Sequence, residues 1–245
     1  MNFNDVSFDF NEKLILVIGG SRGIGKGVVD AFIDAGAKVF YASRNPIMNG
    51  SKNGAIHVPT DLTKNDEIDN LFREVDSFGP LDVLVNSAAI NYTKKVEDIS
   101  EDEWEIVIKT NLSAVFYLCK KAITRMKKQN SGKIINISSI AGRHRSLVSG
   151  VHYVSSKAGL IGLTKQLAFE VAEYNININA TCPSQTMTDM LEESMTKEEM
   201  NKLISTIPLK RFAKIKEQVG VILFLASDAA SYITGTYIDV NGGQI

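Results

Sequence analysis

Cysteine is scarce in this chain. Cys119 and Cys182 are the only two in 245 residues; they stand apart, without metal-ligand spacing, and a chain this long folds without staples. Both read as reduced thiols of a cytoplasmic protein. Charge of one sign is lacking too: 27 Lys and Arg face 28 Asp and Glu, a formal net charge of −1. No basic field exists to hold nucleic-acid phosphates or anionic lipid. No run approaches the ~20 apolar residues of a membrane span, and Met1-Asn2-Phe3-Asn4-Asp5 carries an acid where an export signal carries bases. Internal repeats, linkers and low-complexity tracts are missing as well. What remains is an ordinary globular composition, 44% hydrophobic and 22% charged. A soluble, unexported protein with one domain over 1–245 is expected.

Short β-branched runs alternate with longer stretches of helical period. That pattern predicts an α/β fold, a single-domain Rossmann-like doubly wound parallel sheet of about seven strands with helices on both faces. Leu14-Ile15-Leu16-Val17-Ile18 is apolar at every position, as a central strand buried on both faces requires. Further strands are predicted at 38–42, 55–58, 81–85, 133–137, 175–181 and 236–240. Between Arg44 and Ala55 the chain reads Asn45-Pro46 and Asn49-Gly50-Ser51-Lys52-Asn53-Gly54. This is turn chemistry, and a loop is expected to replace one crossover helix. Met187, Met190, Met195 and Met200 cluster in a segment, 187–207, expected to form an adaptable apolar lid over the substrate.

Gly19-Gly20-Ser21-Arg22-Gly23-Ile24-Gly25 follows the first strand and opens a helix. Glycines there allow a tight turn and let a pyrophosphate approach the helix N-terminus, where unpaired N–H groups and the dipole favour anions. The end of the second strand then distinguishes the two nicotinamide dinucleotides, because a carboxylate at that place binds the ribose hydroxyls and repels a 2′-phosphate. Lys38-Val39-Phe40-Tyr41-Ala42-Ser43-Arg44-Asn45 holds no acid. Arg22, Ser43 and Arg44 are all able to reach a 2′-phosphate, so NADP(H) is favoured over NAD(H).

Tyr153 and Lys157 lie at i and i+4, on one helix face, after the strand that ends Ile137-Ser138-Ser139. A second such pair, Tyr117 and Lys121, sits inside a long predicted helix and reads as packing and surface. At about 4 Å and an effective dielectric of about 20, an ammonium is worth about 4 kcal/mol to a phenolate. Lys157 is therefore expected to draw Tyr153 toward neutrality, against partial burial and with help from a bound cationic nicotinamide. A phenol so tuned suits general acid–base work beside a hydride carrier. His152 points to another helix face and reads as packing or support. No metal site is predicted.

From Leu14 to Gly243 the chain resembles the classical short-chain dehydrogenase/reductases. The motifs that carry this occur in order: Gly19-x-x-x-Gly23-Ile24-Gly25, Asp61-Leu62, Asn86-Ser87-Ala88-Ala89, Asn111, Ser139, Tyr153-x-x-x-Lys157, Pro183 to Thr188, Tyr232-Ile233-Thr234-Gly235 and Val240-Asn241-Gly242-Gly243. The resemblance implies a catalytic set of Asn111, Ser139, Tyr153 and Lys157. Tyr153 would exchange the proton with a carbonyl or alcohol oxygen that Ser139 holds. Lys157 would tune Tyr153 and bind the nicotinamide ribose, and Asn111 would kink its helix and hold a relay water. Asp61 would bind the adenine amino group, with Leu62 beside it, while Asn86, Ser87 and Ala88 would line the adenosine ribose. Pro183, Thr186, Thr188 and the backbone near Ser184 would clasp the pyrophosphate and the nicotinamide amide.

Four departures from the family pattern stand out. Ile18 replaces a usual Thr, removing a hydrogen bond toward the Asn86 segment; Ser87 and Ala89 replace Asn and Gly; Ser184 replaces Gly; and the Ser139 to Tyr153 interval is one residue longer than usual. The implied activity is NADPH-dependent reduction of a ketone, with 3-oxoacyl thioesters on acyl carrier protein as the substrates of the most similar group. Family members that use the carrier protein present basic residues where this chain has Asn130 and Tyr174, which weakens that expectation, and Lys127 and Lys128 read as a solvated helix end. An alternative is an NADP-dependent dehydrogenase of a polar secondary alcohol, sugar or cyclitol. A non-catalytic dinucleotide-binding regulator is a third reading, against which the intact catalytic set argues. Arg143-His144-Arg145 suggests either an anionic substrate or simple loop solubility. The helices carrying Asn111 to Arg125 and Tyr153 to Glu173 resemble the family's assembly pair, and a homotetramer or homodimer is expected.

Overall fold

The computed structural model describes residues 6–46, 54–188 and 196–245. Seven parallel strands form one sheet: β1 (Leu14–Ile18), β2 (Lys38–Ser43), β3 (Ile56–Pro59), β4 (Val83–Asn86), β5 (Gly132–Ile137), β6 (Ile176–Pro183) and β7 (Tyr237–Val240). Their order across the sheet is β3-β2-β1-β4-β5-β6-β7. The chain thus builds outward from β1 in one direction, returns, and continues from β4 in the other. Such a reversal leaves a crevice at the carboxyl ends of β1 and β4, where ligands of open α/β sheets bind.

β1 is fully buried because its alternating side chains feed two cores. Leu14, Leu16 and Ile18 pack with Phe72, Leu118 and Leu160 on one face. Ile15 and Val17 pack with Phe32, Val219 and Leu223 on the other. The helices are α1 (Gly23–Asp34), α2 (Asn65–Asp76), α3 (Glu101–Ile108), α4 (Ala114–Gln129), α5 (Val151–Val171), α6 (Lys197–Ser205) and α7 (Ile215–Ala226); α2, α4 and α5 cover the first face, and α1 and α7 the second. In α2 the spacing is plain: Ile68, Leu71, Phe72 and Val75 are buried at i, i+3, i+4 and i+7.

The sheet agrees with the predicted strands to within two residues at most ends. β6 runs two residues farther, to Pro183, whose missing N–H is harmless at a strand's last position. β4 begins two residues late; at its edge Asp82 still bonds the Leu14 and Lys133 backbones, and its carboxylate accepts from the Leu14 N–H and the Lys13 ammonium. Between β2 and β3 the described residues, 44–46 and 54–55, are irregular, as the turn chemistry predicts. Positions 47–53 lie outside the described residues. So does most of the first half of the expected lid, including Met190 and Met195; its second half is α6, where Leu203 joins Ile207 and Phe212 in a small core against Met187, Met200 and Val148. Thr196 caps α6 with a reciprocal Glu199 pairing. Among the described residues no helix is long and apolar enough to cross a membrane.

Candidate active site

The glycine turn is built for close approach. Gly19 adopts φ +80, and a Cβ there would stand 2.7 Å from the Ala88 backbone; one on Gly25 would stand 2.1 Å from the Gly19 carbonyl oxygen. Those contacts press the turn against the end of β4, where the Ser87 N–H donates to the Ile18 carbonyl at 2.9 Å. The Ile18 and Asn86 segments therefore stay joined through the backbone, while the Ile18 side chain serves the core. Gly23, at φ +55, has only the Thr188 methyl nearby, 3.5 Å from a would-be Cβ. Arg22 is the N-cap of α1 yet provides no side-chain cap, and the first turn holds no acid. The start of α1 thus offers backbone N–H groups and an uncompensated dipole to an anion. Ser21 and Ile24 flank this opening, Ile24 with its side chain packed toward the α1 core.

A nicotinamide dinucleotide fits this cradle, because the glycines leave the room that a pyrophosphate needs and Thr188 arches over it. Thr186 and Met187 fix the arch by pairing with Ala213, and the Thr186 hydroxyl donates to the Ser184 carbonyl at 3.1 Å. Pro183 ends β6 directly below. Along the strand ends, Ser43 closes β2, Arg44 is exposed, and Asp61 is close enough for Arg44 to favour its ionised form. The Thr63 N–H is the larger influence, holding the Asp61 carboxyl below its ordinary range.

Two residues expected at the cofactor turn elsewhere. The Asn86 side chain is buried and donates to Asn136 Oδ1 at 2.8 Å, within a polar chain that continues to Thr164. Leu62 packs against the α2 core.

The reacting groups converge past β5. Ser139 lies just after the strand, and Tyr153 and Lys157 follow on the first turns of α5. Ser139 stands close enough to the Tyr153 phenol to favour its ionised form, and its hydroxyl accepts the Ala141 N–H at 3.1 Å. Lys157 Nζ donates to the Ile137 carbonyl at 2.7 Å and stands 5.7 Å from the centre of the Tyr153 ring. Burial pushes the Tyr153 phenol up, opposed only by Ser139, and no charge effect from Lys157 offsets it. Burial likewise brings the Lys157 ammonium down to about 8. In the protein alone, desolvation outweighs the attraction that the Tyr–Lys spacing promised.

Asn111 sits in a π-helical turn, Lys109–Ser113, between α3 and α4. Such a turn interrupts a helix at functional places, and here it aims the amide at the loop after β4. Asn111 accepts the Ile90 N–H and donates to the Ile90 carbonyl, both at 2.9 Å, and also reaches Ser156 at 3.2 Å. Both amide hydrogens are thereby used. The side chain clamps the crevice wall, and its donors are not spare for a relay water.

Three further side chains frame the site. His152 is fully buried; its Nδ1 accepts the Tyr153 N–H at 2.8 Å, so the ring proton is on Nε2 and goes to Glu103 at 3.0 Å. Glu103 also pairs with Lys94, tying the loop after β4 and α3 to the start of the catalytic helix. Arg143 is not turned toward the crevice: it pairs with Asp239 and lies 4.6 Å over the Tyr237 ring. Arg145, the other loop arginine, is exposed. His57 reaches the end of β2, where its Nε2 meets Ser43. The second Tyr–Lys pair is surface: Tyr117 is exposed, and Lys121 bridges to Asp69.

A phosphate-ready glycine turn beside a Ser–Tyr–Lys group defines a nicotinamide-dependent oxidoreductase. A family profile described as enoyl-(acyl carrier protein) reductase matches residues 18–244. The chain is 35% identical over 243 residues to the 3-oxoacyl-[acyl-carrier-protein] reductase FabG of Salmonella typhimurium, covering 96% of this chain and 98% of that one. It is 32% identical over 253 residues to a D-beta-hydroxybutyrate dehydrogenase of Rhizobium meliloti, covering 94% and 98%. The ligand-free aldohexose dehydrogenase structure of Thermoplasma acidophilum superposes with a TM-score of 0.88 at 31% identity, covering 96% and 94%. The chain belongs to the short-chain dehydrogenase/reductase family and is an NAD(P)-dependent oxidoreductase similar to the 3-oxoacyl-[acyl-carrier-protein] reductases.

Proposed function

We propose that this enzyme reduces a ketone to a secondary alcohol with NADPH, and that Ser139, Tyr153, Lys157 and Asn111 carry the reaction. The observation that supports this most is the convergence of Ser139 and Tyr153 just past β5, close enough for Ser139 to favour the ionised phenol, with the Lys157 ammonium one helical turn behind. Ser139 holds the substrate oxygen. Tyr153 keeps its proton at neutral pH, as its raised pKa favours, and gives it to that oxygen as negative charge develops. When bound, the nicotinamide supplies the hydride. Lys157 stands behind the phenol to stabilise the tyrosinate that forms, and Asn111 keeps the crevice wall in register through Ile90. Gly19, Gly23, Gly25 and Thr188 hold the pyrophosphate, and Arg22, Ser43 and Arg44 favour a 2′-phosphate. One domain serves both cofactor and substrate, with the α6 region as its lid. The buried Cys119, its thiol pushed up to about 12 by burial, suits an unreactive reduced thiol in a cytoplasmic setting.

A 3-oxoacyl thioester is the favoured substrate. Asn130 takes the left-handed conformation that ends α4, which suits Asn better than a β-branched residue. Tyr174 carries Lys127 at 4.1 Å over its ring, which returns a cation to the face where carrier-protein members have bases. The second reading, oxidation of a polar alcohol or sugar, draws support from Arg143 being occupied elsewhere while Asn91 and Thr93 present polar groups near Val148. NADPH consumption with an acetoacetyl thioester, on acyl carrier protein and on a small thiol, separates the two. Turnover at least tenfold above that with polar cyclic ketones is expected. NADP-dependent oxidation of sugars without thioester reduction would replace the first reading with the second.

The α4–α5 face supports assembly. Phe116, Tyr117 and Phe169 are exposed beside a groove floored by Gly159 and Gly162, and a Cβ on Gly162 would meet open space. Exposed apolar surface of this kind marks an interface. A homotetramer or homodimer is expected in sedimentation velocity, and a monomer at working concentration would contradict it.

A further inference from the structure

The end of β2 carries a side chain whose partner arrangement bears on which dinucleotide is bound. His57 faces Tyr41 across the β2–β3 pair, and the two rings stack at 4.8 Å and 30°. Tyr41 has little freedom, since it is buried and a Cβ on Gly20 would lie 2.5 Å from its own. The imidazole is thereby held with Nε2 at 3.0 Å from the Ser43 carbonyl oxygen and 3.1 Å from Ser43 Oγ. A carbonyl oxygen only accepts, so Nε2 carries the proton and donates. The Ser43 hydroxyl in turn donates to the Asn45 carbonyl at 2.5 Å.

This geometry leaves Ser43 with one hydrogen, spent on Asn45, and an oxygen that His57 covers. For Ser43 to donate to a phosphate, its hydrogen must leave Asn45. His57 makes that rotation selective: with the ring N–H fixed on the acceptor side of Oγ, the hydroxyl hydrogen is directed away from β3, toward the end of β2 where Arg44 is exposed. An unphosphorylated ribose presents hydroxyls that accept weakly there, whereas a phosphate dianion accepts strongly.

We propose that His57 is a positioning residue for selection of the 2′-phosphorylated dinucleotide, acting through the Ser43 hydroxyl. The inference rests on the reading that NADPH is the preferred cofactor. Equilibrium titration of the wild type, His57→Ala and His57→Gln with NADPH and with NADH, followed by calorimetry, separates the two claims without an activity assay. His57→Ala is expected to weaken NADPH about tenfold, the scale of one charge-assisted hydrogen bond, while NADH changes less than about twofold. His57→Gln, whose amide also donates, is expected to restore most of the preference. Equal weakening of both nucleotides, or an unchanged NADPH affinity, would overturn the role of His57. A wild type that binds NADH as tightly as NADPH would instead overturn the cofactor reading, and with it the selection.

Discussion

Tyr153→Phe is expected to reduce turnover by about 10³-fold or more while NADPH affinity stays within about twofold, because general acid catalysis alone is commonly worth 10² to 10⁴ and the cradle is built elsewhere. The pyrophosphate turn, the Thr188 arch and the β2 end contain no atom of the Tyr153 hydroxyl. Phe fits the same partly buried position and keeps the backbone N–H that His152 accepts. Calorimetric NADPH binding beside steady-state rates reads both halves. Substantial turnover in the variant would remove Tyr153 from the reaction, and loss of NADPH binding would mean that the phenol shapes the cradle.

The second large effect concerns Lys157, where function and stability should move in opposite directions. Its side chain is 2% exposed and its pKa is brought down to about 8 by burial, from an ordinary 10.5. A buried amine with a lowered pKa binds its proton less tightly in the folded chain than in the unfolded one. It therefore opposes folding at neutral pH, by a cost on the order of 3 kcal/mol before its bond to Ile137 is counted. The cost is full below pH 8 and fades as pH climbs toward 10.5. Lys157→Met is expected to lose at least about 10²-fold in turnover yet to melt several degrees higher than the wild type at pH 7 without cofactor. The difference in melting temperature should shrink steadily between pH 8 and 10. A difference that grows with pH would show that the ammonium stabilises the fold. The raised Tyr153 pKa adds a related expectation: reductive turnover is retained at neutral pH and declines on the alkaline side, as the proton donor is lost.

Much of this architecture was legible because it depends on neighbours in sequence. An all-apolar β1 states that both sheet faces are covered, and the glycine turn after it states where a pyrophosphate lies. The order of the motifs was enough to place Ser139, Tyr153 and Lys157 together. What escaped the sequence depends on contacts between distant segments. Arg143 left two readings open, an anionic substrate or loop solubility, and its pairing with Asp239, far along the chain, was not legible from either. Asn86 and Leu62 stand in cofactor motifs, but the Asn86 side chain, at the end of β4, bonds Asn136 in the interior, and that of Leu62, in the turn after β3, packs against the α2 core. The pairing of His57 with Ser43 needed the β2–β3 register, and the Glu103–His152 tie needed α3 beside α5. The electrostatic expectation set Lys157 against partial burial and counted on a bound nicotinamide; in the protein alone burial weighs more. An i,i+4 spacing gives proximity but not burial, and burial decides the pKa of both Tyr153 and Lys157.

Transfer of label measures the proposed chemistry most directly. Acetoacetyl thioester would be reduced with NADPH carrying deuterium at the transferable position of the nicotinamide, and the product weighed by mass spectrometry. The expected result is one deuterium on the carbinol carbon of the 3-hydroxyacyl product with the wild type and none above background with Tyr153→Phe. Product without deuterium, or equal labelled product from both proteins, would contradict a Tyr153-assisted hydride transfer.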